Sequence, residues 1–337
     1  ILKLAEPTLA AEKLMEEDHL HVNHETLREW LLVEKLWHKQ RKRYPYRRQR
    51  ESRAQFGELI QIDGSIHDWL GDSKHTCLLN MVDDATGKTL AYLESGETTR
   101  CIFLVIKKWI ERYGIPLAFY VDLKNVYVSM KETSTFTHVE KACAKLGIQI
   151  IKAYSPQAKG RVERKHAVYQ DRFVKELRLK KITTIEAANE LLENGFIDKL
   201  NRKFEKPARN PESAHMKRNR IDLNKVLCWE YERQVQNDWT FSFMNFCYQV
   251  EKKYGSYVRP KSTILVRRHL DGSLTAWHKD EELSITRLDR KPDKVELQEQ
   301  TKRRRVMSAH EAGKIGRRRS PWGQYNTNWL KKTGTGR

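Results

Sequence analysis

The chain has 337 residues and carries 64 Lys plus Arg against 44 Asp plus Glu, a formal net charge of +20. That surplus points to a polyanionic partner, nucleic acid before any other, and no apolar run approaches the roughly 20 residues a membrane crossing needs. The five cysteines (Cys77, Cys101, Cys143, Cys228, Cys247) are odd in number and show no paired metal spacing, which speaks against a disulfide framework and fits a reducing cytoplasm.

No secretory signal opens the chain, and its first residue is Ile1, so a fragment or processed form is expected. Residues 7–19 and 24–36 read as two helices. Leu9, Lys13 and Leu14 recur at helical spacing in the first. Asn23 can cap the second, whose apolar positions are Leu27, Leu31 and Leu32. The tight link around His21-Val22-Asn23 suggests part of a helix-turn-helix, with an ordinary helical pair as the alternative. In the first reading His24, Thr26 and Arg28 lie at the front of the recognition helix, and a third helix would precede Ile1. Eight of the fifteen residues in 39–53 are Lys or Arg. Their repulsion and Pro45 predict an extended linker, in which Arg41, Lys42, Arg43, Arg47 and Arg48 suit phosphate contacts.

From residue 56 the pattern becomes mixed α/β. A strand centred on Ile60 and Ile62 is predicted to end at Asp63, just before Gly64. Strands follow at 76–83 and 89–94, joined by the turn Asp84-Ala-Thr-Gly87. A helix over 101–113 ends at Gly114. A short buried strand over 117–121 runs into Asp122. Then come a helix over 138–146, a strand over 148–151, a loop over 155–160 and a helix beginning Arg161-Val-Glu163. This order is ribonuclease-H-like. One more helix, capped by Thr183 or Thr184, is predicted over 183–201. Residues 225–288 are rich in closely spaced aromatic and β-branched residues, with a hairpin signal at Asp271-Gly272, and read as a small all-β barrel. Residues 302–337 hold eleven Lys or Arg and a single acid, Glu311. The resulting division is a partial helix-turn-helix DNA-binding domain (1–38), a basic linker (39–55), a ribonuclease-H-like catalytic domain (56–205), a small SH3-like barrel (206–290) and a basic tail (291–337) expected to be disordered without DNA.

Three acids stand at the ends of neighbouring elements: Asp63, Asp122 and Glu163. Carboxylates gathered there would repel one another unless cations bridged them, and hard oxygen ligands suit Mg²⁺ or Mn²⁺. Two such ions about 4 Å apart would stabilise the attacking and leaving oxygens of a phosphodiester displacement. Asp63 is expected to bridge both ions, with Asp122 on one and Glu163 on the other. Lys159, Arg161, Arg164 and Lys165 surround Glu163 and could hold phosphates beside the metals, or form a solvated helix face.

Ile62-Asp-Gly-Ser65, Tyr120-Val-Asp122 and Ser155-Pro-Gln-Ala-Lys-Gly-Arg-Val-Glu-Arg-Lys165 resemble the core of the DDE transposases and retroviral integrases. The likeness covers about residues 1–290 and is closest to bacterial insertion-sequence transposases with an integrase-type core. It implies cleavage and joining of transposon-end DNA by a dimer or higher multimer on DNA, with two divalent metals per site, in a bacterial cytoplasm at the nucleoid. Asp122 and Glu163 are 41 positions apart, longer than the family's usual spacing, which implies an insertion near 128–137. Two alternatives share the same acids: a ribonuclease-H-like nuclease without strand transfer, and a DNA-binding protein whose core has lapsed.

Overall fold

The structure is a computed structural model and describes residues 6–38, 51–122, 127, 136–153, 160–251, 253 and 257–288. The chain forms two compact units. One runs to Glu230 and takes in Arg267–Leu274; the other comprises Tyr231–Val266 and the residues from Thr275 on.

The first unit opens with helices α1 (Pro7–Glu17) and α2 (His24–Val33). Pro7 sits in the first turn of α1, where its missing N–H removes no helical bond. Asn23 caps α2 by accepting from the Glu25 N–H at 2.9 Å. Leu27 and Leu31 bury against Ala10, with Leu14, Val22 and Trp37 around them.

After the short strand β1 (Gln55–Phe56) come β2 (Ile60–His67), β3 (Thr76–Asp83), β4 (Thr89–Glu94), helix α3 (Thr99–Tyr113), β5 (Ala118–Asp122), helix α4 (His138–Leu146) and β6 (Gln149–Ala153). Their sheet has the order β4-β3-β2-β5-β6. The pairs β4-β3 and β3-β2 are antiparallel, while β2-β5 and β5-β6 are parallel. This mixed sheet has the ribonuclease-H-like order expected from the sequence. Helix α5 (Gly160–Leu179) follows, and both it and α3 pack on β3, which is buried along its whole length. The core gathers Ile62, Leu79, Met81, Phe103, Trp109, Tyr169 and Phe173.

Strand β2 does not stop at Asp63. It pairs with β3 through Gly64 as far as His67↔Thr76, whereas its pairing with β5 ends at Gln61↔Tyr120. The expected strand end is therefore present on one side only. The helix predicted over 183–201 is also broken. It forms α6 (Ile185–Leu191) and α7 (Ile197–Phe204), with Thr184 capping α6. Between them Gly195 adopts φ +100°, a left-handed conformation that favours glycine. The kink lets two asparagines face β4, the outer strand. Asn201 accepts from the Thr89 N–H at 2.8 Å and donates to its carbonyl at 2.9 Å. Asn189 does the same for Leu93, at 2.8 Å each way. Two side chains thus satisfy the outward backbone groups of Thr89 and Leu93 on this edge strand.

The sequence places a boundary at 205/206, but the chain stays with the first unit to Glu230. Strand β7 (Asn210–Ser213) pairs with β1, and helix α8 (Leu223–Val226) follows. His215 accepts from the Trp109 indole N–H at 3.1 Å and packs against Phe56 and Tyr113. These aromatic contacts keep the stretch after residue 205 with the first unit. The N-terminal helix α1 is held on the unit by charge. Lys13 pairs with Glu176 at 2.6 Å, Arg172 grips Glu12 at 2.7 and 3.2 Å, Lys203 also pairs with Glu12, and Lys199 with Glu16.

The second unit is all-β. Strands β8 (Trp229–Gln234), β9 (Thr240–Phe243), β10 (Phe246–Val250), β11 (Thr263–Arg268), β12 (Leu274–His278), β13 (Glu281–Leu283) and β14 (Ile285–Leu288), each lying wholly or mostly in it, form two sheets, ordered β14-β10-β9 and β13-β12-β11-β8. Phe241 stacks on Tyr248 with ring centroids 5.4 Å apart, and Val250, Val258, Ile264, Val266 and Ala276 are buried. The predicted hairpin turn is present, with Gly272 at φ +86° between β11 and β12. All five cysteines are buried, and burial pushes the Cys143 thiol up to about 12. Among the described residues no helix is long and apolar enough to cross a membrane.

Candidate active site

Two of the three acids stand at matching positions on neighbouring strands. The last β2–β5 pair is Gln61↔Tyr120, and Asp63 and Asp122 each lie two residues further along adjacent parallel strands. Both carboxylates are half-buried. Because side chains alternate along a strand, Asp63 shares its face with Gln61 and Ser65. That face meets α5: the Gln61 amide oxygen accepts from the Val162 N–H at 3.3 Å, and the Gln170 amide donates to the Ser65 hydroxyl at 3.4 Å.

Glu163 follows Val162 in the first turn of α5 and is exposed. A buried network fixes where that turn begins. The Gln61 amide donates to Asp84 at 2.8 Å, the Arg161 guanidinium lies 3.4 Å from the same oxygen, and the Arg53 backbone N–H donates to the other oxygen at 2.8 Å. Asp84 is 1% exposed. A carboxylate buried that far persists because donors and a cation surround it. Sequence reading assigned Asp84 to a turn and passed over Gln61. A polar Gln at a buried alternation position next to an acid was the available signal.

The hard carboxylate oxygens of Asp63 and Asp122 are of the kind that suits Mg²⁺ or Mn²⁺. Among the described residues, however, no three His, Cys, Asp or Glu side chains stand close enough together to hold a metal. Glu163 is not brought into a cluster with the two aspartates. The segments 123–126, 128–135 and 154–159, which border Asp122 and Glu163, lie outside the described residues.

The expected DNA contacts separate. Arg41, Lys42, Arg43, Arg47, Arg48 and Lys159 lie outside the described residues. His24 and Thr26 are exposed on α2, and Arg28 donates to Glu25 at 2.6 Å. Arg164 is exposed and donates to the Gly160 carbonyl at 3.0 Å. Arg161 turns inward to Asp84. Lys165, expected beside phosphates, is instead buried, with its ammonium 5.3 Å from the centre of the Phe204 ring. Burial pulls its pKa down to about 8, against a smaller opposing pull from Glu205. Helical spacing explains the split, since Val162, Lys165, His166 and Tyr169 share the face that α5 buries.

A mixed sheet of this order, with an acid two residues beyond the last pair on each of its central parallel strands, defines a ribonuclease-H-like domain. Its sequence relatives are more specific. The chain is 39% identical over 246 residues to the transposase y4bF of Sinorhizobium fredii, which covers 70% of this chain and 53% of that protein. It is 33% identical over 226 residues to the transposase for insertion sequence IS1202 of Streptococcus pneumoniae, covering 65% of this chain and 48% of that protein. The chain is thus a relative of insertion-sequence transposases, as its motifs indicated, and it spans about half the length of the curated relatives it matches. No protein-family model matches it. Among solved structures, the magnesium-bound dimeric catalytic core of the HTLV-2 integrase superposes with a TM-score of 0.35 at 17% identity, covering 42% of this chain and 88% of that one. A chain of the simian T-cell lymphotropic virus intasome superposes with a TM-score of 0.39 at 14% identity, covering 82% and 99%. These superpositions are too loose to define the fold, which rests on the strand order.

Proposed function

We propose that this chain is a DDE-type transposase that cleaves and joins transposon-end DNA, with Asp63, Asp122 and Glu163 as its catalytic acids. The common register of Asp63 and Asp122 on adjacent parallel strands carries this reading, together with the transposase names of both curated relatives. At the scissile phosphorus a new P–O bond forms as the old one breaks, so an oxygen nucleophile replaces an oxygen leaving group. Asp63 and Asp122 would hold divalent metal between them, and Glu163 would complete the set from α5. When bound, Mg²⁺ or Mn²⁺ supplies Lewis-acid stabilisation of the attacking and leaving oxygens. The Gln61–Asp84–Arg161 network sets the start of α5, and Arg164 offers a cation to a backbone phosphate.

In the same reading the α1–α2 pair is part of a helix-turn-helix that reads double-stranded DNA through His24, Thr26 and Arg28. The basic linker adds affinity. The all-β unit is an SH3-like barrel that helps hold protomers and DNA ends together. A transposon has two ends, so a dimer or higher multimer on DNA is the simplest symmetric assembly. The net charge of +20 favours this partner, and the work would be done in the bacterial cytoplasm at the nucleoid.

The test compares the wild type with Asp63→Asn, Asp122→Asn and Glu163→Gln on duplexes carrying the ends of its element, in Mg²⁺. Each variant should lose cleavage and joining while binding DNA normally, because affinity comes mainly from Lys and Arg. Near-normal joining by one of them would remove that acid from the site. Cleavage by the wild type without any joined product would favour the nuclease reading.

A further inference from the structure

Neither Glu97, in the loop between β4 and α3, nor Tyr127, five residues after Asp122, stands out in the sequence. The structure joins them. The Tyr127 hydroxyl donates to a Glu97 carboxylate oxygen at 2.7 Å. A phenol donating to a carboxylate forms one of the stronger neutral-donor hydrogen bonds. The Tyr127 ring is fully buried, and its backbone carbonyl accepts from the Thr137 hydroxyl at 2.9 Å. Thr137 in turn caps α4. Tyr127 is therefore fixed at its ring, its hydroxyl and its backbone.

Glu97 sits against the residue next to Asp63. A Cβ added at Gly64 would lie 2.9 Å from the Glu97 carboxyl carbon, from one of its oxygens and from the Cys77 sulfur, so the Glu97 carboxylate stands directly against the Gly64 backbone. Burial, then Glu97 and then the charge of Asp63 push the Tyr127 phenol well above its ordinary range, so Asp63 too lies within electrostatic reach.

We infer that Tyr127, through its bond to Glu97 at Gly64, is a positioning residue that ties the chain leaving Asp122 to the strand bearing Asp63. Five residues span at most about 17 Å, so an anchor at 127 limits how far Asp122 can drift from its neighbour. Pairing with Ala153 fixes Asp122 in β5, and the Tyr127–Glu97 bond ties residue 127 to the strand that bears Asp63. This inference rests on the proposed catalytic role of the two aspartates.

The experiment uses the full chain with Tyr127→Phe, Glu97→Gln and Asp63→Asn. Tyr127→Phe keeps the buried ring and removes one oxygen. It should lower kcat for cleavage about 10- to 100-fold, the usual consequence of a small misplacement, with KM for DNA nearly unchanged. It should also speed amide hydrogen exchange in peptides covering 118–137 and leave the rest of the sheet unaffected. Glu97→Gln still offers an oxygen to Tyr127 and should stay within a few-fold of wild type. Should Tyr127→Phe unfold the unit, Glu97→Leu removes the same bond from the other side and takes its place. Wild-type kcat and exchange in the variant that lacks the bond would overturn the inference. So would a Glu97→Gln enzyme as inert as Asp63→Asn, which would put Glu97 at the reacting centre itself. If the wild type shows no metal-dependent cleavage that Asp63→Asn abolishes, the transposase reading fails, and the exchange data alone decide the tether.

Discussion

The Gln61 side chain joins the sheet to the helix that carries Glu163: its oxygen accepts from the Val162 N–H at 3.3 Å while its amide donates to buried Asp84 at 2.8 Å. The first N–H groups of a helix have no partner within it. Here one of them is satisfied by the strand that also bears Asp63, two residues on.

Gln61→Leu should therefore be costly although it leaves all three acids in place. It opens the Val162 N–H and leaves Asp84 one donor short, in a buried site. The expected destabilisation is about 2–4 kcal/mol, with a fall in cleavage rate. A urea titration and a single-turnover cleavage assay measure the two. An unchanged midpoint together with unchanged cleavage would dismiss the clamp.

Lys165→Met should stabilise the protein near neutral pH. The folded pKa of about 8 lies below the ordinary 10.5, so the folded state carries a charge it disfavours. That penalty is fully present below pH 8 and disappears as pH rises toward 10.5. The variant should gain about 1–2 kcal/mol at pH 7, and the gain should shrink above pH 8. Denaturation at pH 7 and pH 9.5 checks both the sign and the trend, and DNA affinity should hardly change because Lys165 is buried. A variant with weakened DNA binding and no added stability would return Lys165 to the phosphate contacts.

His215 supplies an acid-sensitive contact. Burial depresses its pKa to about 4 from the ordinary 6.5. The unfolded chain takes up the proton first, so stability should decline as pH falls from 6.5 to 4 and be insensitive to this group above 6.5. In His215→Phe the decline should be shallower, on a lower overall stability because the Trp109 indole loses its acceptor. Equal slopes for the two proteins would show that other groups cause the decline.

The basic linker predicts a salt effect. Neutralising Arg41, Lys42, Arg43, Arg47 and Arg48 should flatten the log–log dependence of DNA binding on salt by about 0.9 for each phosphate that is no longer paired with a cation. Sequence preference should be preserved. A slope equal to wild type would make the segment a spacer.

The central sheet was legible because hydrophobic alternation and turn residues are local. Ile60, Ile62, Val82 and Val121 announce strands through their neighbours alone, and the acids at 63 and 122 stood out as polar groups beside buried runs. What escaped were choices made over long distances. Gly64 looked like a strand breaker, yet pairing with β3 carries it through. The break at Gly195 was hidden inside a good helical pattern and is fixed by the reach of Asn189 and Asn201 to a strand about a hundred residues earlier. Lys165 looked like a solvent-facing base until the phase of α5 was known. Gln61, Asp84, Glu97 and Tyr127 draw their importance from partners 23 to 101 positions away, which no window of sequence contains.

The two asparagines on β4 also bear on how this chain can be divided. A fragment ending after α5 would keep every strand of the five-stranded sheet and lose both Asn189 and Asn201. Its outermost strand would then present unpaired amides and carbonyls at Thr89 and Leu93, a template on which a second copy could add a strand. Such a truncation should precipitate or form soluble aggregates, while one extended to Phe204 should remain dispersed. The practical C-terminal limit of a piece that carries this sheet is thus drawn by edge protection and lies some 25 residues beyond the end of α5.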